Sequence, residues 1–237
     1  VKPFSREIER LEAGVSVNSV DGDLKSYSHG QSVLKTSAVT EGQFLPHQSK
    51  KVAPRDLSRM RLSPKADSII ISRMNTLDLV GECGYVEKDY RHLFLPDRLW
   101  MTKQRYGSDT SIRWLSYLLS SKVQNARIRE LATGTSGSMK NLAKGAFLEL
   151  LLPFPPATEQ RAIAGTLSDM DTLLGAMAQL IAKKRDLKQA AMQQLLTGQK
   201  RLPGFHGEWE ETTLGHIGEC IIGLTYKPEN VVEHGLL

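Results

Sequence analysis

The stretch LPFPPATEQRAIAGTLSDMD, residues 152–171, is where the chain changes character. Before it, short apolar segments alternate with turn residues. After it, apolar residues recur at helical spacing for about forty residues. Pro155 and Pro156 bar any regular element from running through the junction. Beyond them Thr158 is placed to cap a helix and Glu159 suits the positive end of its dipole, although Arg161 stands where a capping box would put Glu or Gln. Ile163, Leu167, Met170, Leu174, Met177 and Ile181 then recur at alternating steps of four and three, the spacing of a coiled-coil seam. The seam slips at Lys183-Lys184-Arg185, where Lys184 takes the next seam position. It resumes as Leu187, Ala191 and Leu195. Gly198 and Pro203 end it. At ~1.5 Å per residue such a helix is a rod of roughly 60 Å, too extended to bury its seam against itself, so it predicts pairing with another helix.

Working back from the junction, residues 28–103 read as short strands, with candidates at Ser32–Thr36, Ser68–Ser72, Gly84–Glu87 and Leu99–Thr102. Glu41-Gly42, Ser63-Pro64, Gly81-Glu82 and Pro96-Asp97 are turn signals between them. From Ser111 to Leu131, Ile112, Leu115, Leu118, Leu119, Val123 and Ile128 recur mainly at three and four and predict one amphipathic helix. Gly134 to Lys140 follows as a small polar loop, and Phe147–Leu152 reads as a buried strand. Trp100 and Trp114 sit in apolar patterns and belong to a core. The fold class is α+β: a mixed, mostly-β domain followed by a long coiled-coil-forming helix.

The 237 residues carry 31 Lys and Arg against 26 Asp and Glu, a net charge of +5 that is unevenly spread. Residues 1–157 sum to +7, residues 158–204 to +3 and residues 205–237 to −5. A basic body ends in an acidic tail, and a positive field of this size suits a polyanion partner. Ile217 to Tyr226 also parallels Ile8 to Val17, which suggests a second copy of the first domain that begins near the break at Pro203-Gly204. No apolar run approaches the ~18 residues of a membrane span, and no signal-peptide core is present. Cys83 and Cys220 make no disulfide or zinc framework, so a cytoplasmic location is expected.

Catalytic patterns are missing from the sequence. The closest approach to a P-loop, Gly134 to Lys140, has Met139 before the lysine and Asn141 after it. The histidines (His29, His47, His92, His206, His216, His234) are scattered and no nucleophile elbow occurs. Asp21-Gly22-Asp23 starts like a calcium loop and continues as a turn. The expectation is a non-enzyme with no metal site and no cofactor of its own.

The string Pro155-Pro156-x-x-Glu159-Gln160, followed by Ile163-Ala164, Leu167 and Asp171 and by a basic helix ending Gln194 to Gly198, resembles the conserved region of type I restriction-modification specificity subunits. Gly134 to Gly137, Phe147 to Pro153 and Ser68 to Arg73 resemble the end of such a subunit's target recognition domain. Trp209, Leu214 to Ile217 and Gly223 to Tyr226 resemble the start of the next one. The likeness covers nearly the whole chain, most strongly residues 130–226. It implies two tandem copies of recognition domain plus helix, with the helices antiparallel and each domain reading one half of a split double-stranded DNA target. It also implies modification and restriction subunits as partners, to which S-adenosylmethionine, ATP and Mg would belong. This sequence has one recognition domain and one helix, and its start lacks the Trp and Leu-Gly found before the matching glycine of the second copy. It is therefore expected to be half-length or truncated, and a homodimer through the long helix if half-length.

On that reading residues 1–157 are the recognition domain, 158–201 the spacer and dimerisation helix, and 205–237 the truncated start of a second recognition domain. Base readout needs paired donors and acceptors, while Lys and small hydroxyls hold phosphates. Arg73 and Asn75, just past a buried strand, offer such a reading group, or else a solvated loop. Lys50, Lys51, Arg55 and Arg59 form a basic run suited to backbone phosphates, or ordinary solvated charge. Thr135, Ser136, Ser138 and Lys140 offer hydroxyls and a cation to a phosphate, or a plain turn. The other function class open to the sequence is a coiled-coil adaptor or inactive gene fragment with no DNA role.

Overall fold

The computed structural model describes residues 1–20, 30–134, 139–221, 223, 231, 232, 235 and 236. The strands in chain order are β1 (Lys2–Pro3), β2 (Ile8–Ala13), β3 (Ser19–Val20), β4 (Ser32–Leu34), β5 (Val39–Thr40), β6 (Gln43–Phe44), β7 (Ser49–Val52), β8 (Ser68–Ser72), β9 (Met74–Asn75), β10 (Cys83–Val86), β11 (Leu93–Phe94) and β12 (Leu99–Gln104). There follow α1 (Ile112–Ser120), α2 (Lys122–Glu130), β13 (Ala132–Thr133), β14 (Lys140–Leu142), α3 (Lys144–Leu148), β15 (Leu151–Leu152) and α4 (Ala157–Leu196). The fold is α+β, with the long helix in the expected place. The chain divides into two compact units, Val1–Leu173 and Leu174–Leu237.

The first unit is organised by an antiparallel sheet in the order β10-β8-β12-β2. Its middle strand, Ser68-Ile69-Ile70-Ile71-Ser72, is buried along its whole length, as a strand covered on both faces must be. Alternation divides its side chains between two cores. Ile69 and Ile71 join Trp100, Trp114, Leu115, Leu119 and Phe147 on the face that α1 covers. Ile70 joins Leu34, Val39, Leu95, Leu99 and Met101 on the other. A second sheet, β11-β4-β7-β3, and the β5–β6 hairpin contribute to that side. The hairpin turns at Glu41 (φ 50°) and Gly42 (φ 77°), the paired left-handed residues that match the twist of the strands. Gly14 allows the chain to pass the backbone just after β11: a Cβ there would lie 1.6 Å from the Leu95 carbonyl oxygen.

Three local expectations are corrected. Residues 111–131 form two helices, because Ser121 adopts an extended conformation (ψ 144°) and its hydroxyl accepts from Gln124 N (3.4 Å), while Ser111 caps α1 by accepting from Trp114 N (3.2 Å). The break moves Val123 out of the core, leaving it exposed, while Ile128 is buried there as its spacing predicts. Phe147 lies on the short helix α3, and only Leu151–Leu152 of the expected strand is extended. That run is Leu-rich without β-branched residues, so its composition does not favour a strand. Helix α4 begins at Ala157, with Gln160 N bonded to Pro156 O (3.0 Å), so Thr158 lies inside the first turn.

The first unit closes on itself through β1, which pairs antiparallel with β15, and through Phe4 N to Leu150 O (2.9 Å). Beside it the buried Glu7 carboxylate pairs with Lys2 and accepts from Ser108 and from Thr110 Oγ1 (2.7 Å). Burial raises its pKa, but the bonds from Lys2, Ser108 and Thr110 outweigh that and leave it below the usual value. In the second unit α4 ends as expected at a left-handed Gly198 (φ 73°), with Lys200 N bonded to Gln194 O (3.0 Å). Its remaining described elements are α5 (Leu214–Ile217) and the paired strands β16 (Val231–Val232) and β17 (Gly235–Leu236). Asp21-Gly22-Asp23 lies outside the described residues.

Candidate nucleic-acid interface

Immediately after β8 the chain leaves the central sheet and enters a small antiparallel one, ordered β13-β14-β9. Lys140 stands opposite Asn75 in this ladder and Asn141 opposite Met74, and Leu142 N bonds to Arg73 O (2.8 Å). Side-chain alternation then sets Arg73, Asn75 and Lys140 on one face. Two segments far apart in sequence thus set Lys140 opposite Asn75, with Arg73 two residues before it.

Each group is positioned locally. The Arg73 guanidinium lies 5.9 Å from the centre of the Trp100 ring, and its Nε is buried with no hydrogen-bond partner. Its backbone N bonds to Arg98 O (3.1 Å). Asn75 donates from Nδ2 to Ser72 Oγ (3.3 Å) and accepts at Oδ1 from Thr76 N (2.9 Å). Lys140 Nζ donates to Gly134 O (2.7 Å), which ties the cation to the polar loop. Thr135, Ser136 and Ser138 lie outside the described residues. Asn141 and Thr133 are partners on the same sheet that the sequence did not single out, and Asn141 Oδ1 is buried without a partner. Nothing in the sequence around Asn141 marks it as part of a strand in advance.

The other basic residues belong elsewhere in the unit. Lys50 and Lys51 are half-buried on β7, where Lys50 faces Val33 and Lys51 faces Ser32 and Val20. Arg55 is exposed on the helical turn Pro54–Arg59. Arg59 on that turn is committed inward: it pairs with the buried Asp56 (2.8 Å) and donates to Ser16 O (3.2 Å). Asp56 also accepts from Asn18 N (3.0 Å) and Nδ2 (2.8 Å), and Arg59 with Asn18 holds its carboxyl down at about 2.

Helix α4 supplies a second surface. Gln160 and Ala164 are buried against the first unit. Gln160 Oε1 accepts from Ser111 N (3.0 Å) while its Nε2 donates to Pro155 O (2.8 Å). Further along, Arg113 donates to Ser168, and Tyr117 donates to Asp171 Oδ2 (2.5 Å). Burial, followed by the Asp171 carboxylate, pushes the Tyr117 phenol up to about 12. Residues 160, 164, 168 and 171 thus form a docking face of the helix. The seam occupies a neighbouring face and stays open: exposure runs from 37% at Ile163 and 39% at Leu167 through 55% at Met170 to 63% at Leu174, with Met177, Ile181 and Leu187 about half exposed. Ala191 is exposed and Leu195 half-buried. A parallel stripe of Leu173, Leu180 and Leu187 is also exposed.

Among the described residues no cluster of His, Cys, Asp or Glu is placed to hold a metal ion, and no helix is long and apolar enough to cross a membrane.

Comparison with known proteins gives these surfaces a context. No protein-family model matches the chain. A Mycoplasma genitalium protein named as a type I specificity subunit is 29% identical over 170 residues, covering 68% of this chain and 43% of that protein. The crystal structure of a type I restriction-modification S subunit from M. genitalium superposes with a TM-score of 0.53 at 22% identity, covering 81% of this chain and 44% of that one. A structure from work on assembly and conformational transition of the type I system gives a TM-score of 0.48 at 16% identity, over 81% and 44% of the two chains. The fold, a mixed α+β unit leading into a long helix, is similar to that of the solved S subunit. The chain is thus similar in sequence to a protein named as a type I specificity subunit and in fold to a solved S subunit, and it spans less than half the length of each.

Proposed function

We propose that this chain is a non-catalytic, sequence-specific DNA-recognition subunit of a type I restriction-modification complex. Residues 1–157 read one half of a bipartite double-stranded target, residues 158–201 are the spacer helix, and residues 205–237 begin a second recognition domain. The observation that carries the reading is the convergence of Arg73, Asn75 and Lys140 on one face of the β9–β14 ladder, a constellation with a base-reading carboxamide and guanidinium beside a phosphate-holding cation. A net charge of +7 on residues 1–157 supports it.

In this reading the open seam of α4 pairs with a second helix, in a homodimer if the chain works alone. The stripe at Leu173, Leu180 and Leu187 leaves apolar surface for modification and restriction subunits. S-adenosylmethionine, ATP and Mg are bound by those subunits. The complex works in the cytoplasm.

The test is binding and methylation of defined duplexes by the complex of this chain with its modification subunit, across a salt series. Neutralisation of phosphates predicts affinity that falls steeply with salt, together with methylation confined to one bipartite sequence. Equal activity on every duplex overturns the specificity reading. Absence of salt-dependent binding favours a coiled-coil adaptor.

A further inference from the structure

The turn that leaves β9 is braced by its neighbours and yet presents apolar side chains. Thr76 O accepts from Leu79 N (3.1 Å) and Val80 N (2.9 Å), which closes residues 76–80 into a single turn. Arg129 of α2 donates to Asp78 O and to Glu82 Oε1 (3.1 Å), so the helix holds the turn in place. Gly81, left-handed at φ 83°, bonds through its N to Ser72 O (2.8 Å) and returns the chain to the central sheet. On this fixed turn Leu77 is 49% and Leu79 37% exposed. Met139, 40% exposed, precedes Lys140 and so stands at the end of the β9–β14 ladder from which the turn departs. Apolar surface gathered on a braced turn beside Asn75 and Lys140 marks a contact site, as leucines scattered singly would not.

We propose that Leu77 packs against the 5-methyl group of a thymine in the major groove, next to the base pair that Asn75 contacts. The proposal rests on the DNA-recognition reading and adds to it the chemistry that the turn selects. Every base-pair edge in the major groove offers hydrogen-bonding groups, and thymine alone adds an apolar one. A carboxamide suited to adenine, followed two residues later by an exposed leucine suited to a methyl group, is complementary to a step that contains an A·T pair. Lys140, opposite Asn75, and Arg73, two residues before it, match the charge of the strands that flank such a step.

Asp78 decides where on a duplex the turn can lie. Its exposed carboxylate stands between the two leucines and is repelled by phosphates, which argues against seating the turn on the sugar–phosphate backbone. At the floor of the major groove the same carboxylate can accept from the exocyclic amine of cytosine. The minor groove carries no thymine methyl, and a leucine enters it only as a wedge that unstacks a base step. A protein surface on this patch would need acids for Lys140 and Arg73 and a base for Asp78. The major groove answers all of these groups with one surface.

Uracil substitution tests it, because uracil is thymine without the methyl. The complex of this chain with its modification subunit selects duplexes from a randomised pool, and each thymine of the enriched site, on either strand, is then replaced by uracil in turn. At least one replacement is expected to weaken binding about four-fold, the worth of one buried methyl. Leu77→Ala should bind the thymine duplex as weakly as the parent chain binds the uracil one and no longer distinguish the two, while Leu77→Met keeps the distinction. An enriched site that contains no thymine, or that tolerates uracil throughout, overturns the proposal and leaves the DNA reading standing. Methyl sensitivity that survives in Leu77→Ala overturns it too, since another residue then makes the contact. A Leu77→Ala chain that no longer joins the modification subunit overturns it in favour of a protein contact at the turn. A pool that yields no enriched sequence removes the DNA reading itself and the proposal with it.

Discussion

Asn75 and Lys140 are register partners in the ladder between β9 and β14, although both helices α1 and α2 lie between them in the sequence. On the proposed function Asn75 would read a base and Lys140 would hold a phosphate from neighbouring positions of this ladder, and the two make separable predictions. Lys140→Ala should weaken binding to all duplexes alike and lower the slope of log affinity against log salt by about one. Asn75→Ala should leave that slope alone and reduce the preference for the cognate duplex by ~1–3 kcal/mol. Fluorescence titrations of cognate and scrambled duplexes over a salt series distinguish them.

Gln160 fastens the start of α4 to the sheet-bearing body of the first unit, since its amide bonds both Ser111 N and Pro155 O. Gln160→Ala leaves the Ser111 amide without its acceptor and should destabilise the chain by ~1–3 kcal/mol. Glu159→Ala, one residue away and exposed, should change stability by no more than ~0.5 kcal/mol. Urea denaturation of the two variants beside the parent checks the contrast.

The Asp56 carboxyl is held at about 2 by Arg59 and Asn18, below its ordinary value of 3.8. A folded-state pKa below the unfolded one means that the ionised form favours folding. The contribution is complete above about pH 4 and disappears as the pH falls toward 2. Asp56→Asn should therefore flatten the acid side of the stability curve in that interval, while leaving the part that comes from Glu7, whose carboxyl is also held low. Thermal melts in steps of half a pH unit for parent and variant give the comparison; superimposable acid limbs would show that the Arg59 pair contributes nothing there.

Leu167 and Leu174 are 39% and 63% exposed, so neither supports the interior of a single chain. On the proposed pairing of α4, replacing both with Asp should leave the far-ultraviolet circular dichroism of the first unit intact while the mass by light scattering falls from two chains to one. An unchanged mass would remove the seam as the dimer contact.

The extent to which these features were legible in advance follows from their size and range. Helix α4 repeats one pattern over many turns, and β8 packs three consecutive isoleucines, so both stand out from their neighbours. Glu41-Gly42 carries its own turn chemistry. The break at Ser121 does not show, because a serine inside an apolar periodicity reads as a surface position until its hydroxyl is seen capping α2. Strands β9, β13 and β14 are two or three residues long, shorter than any period that could reveal them, and only long-range pairing defines them. The pairing of Arg59 with Asp56, three residues earlier, does not show in the sequence, because nothing around Asp56 marks it as buried. The residue types of the candidate interface were readable; their assembly on one face was not.

The pairing of β1 with β15 has a consequence for how the domain can be exchanged. The strand that opens the first unit lies against the strand that leads to α4, so the chain enters and leaves this body at adjacent points. A domain whose two ends meet can be replaced as a block without altering the distance its flanking segments must span. A foreign domain with the same closure, joined before Lys2 and after Leu152, would meet α4 as this one does if it offered Gln160 an equivalent of the Ser111 amide. The surface of the body is thus free to diverge while the helix stays as it is.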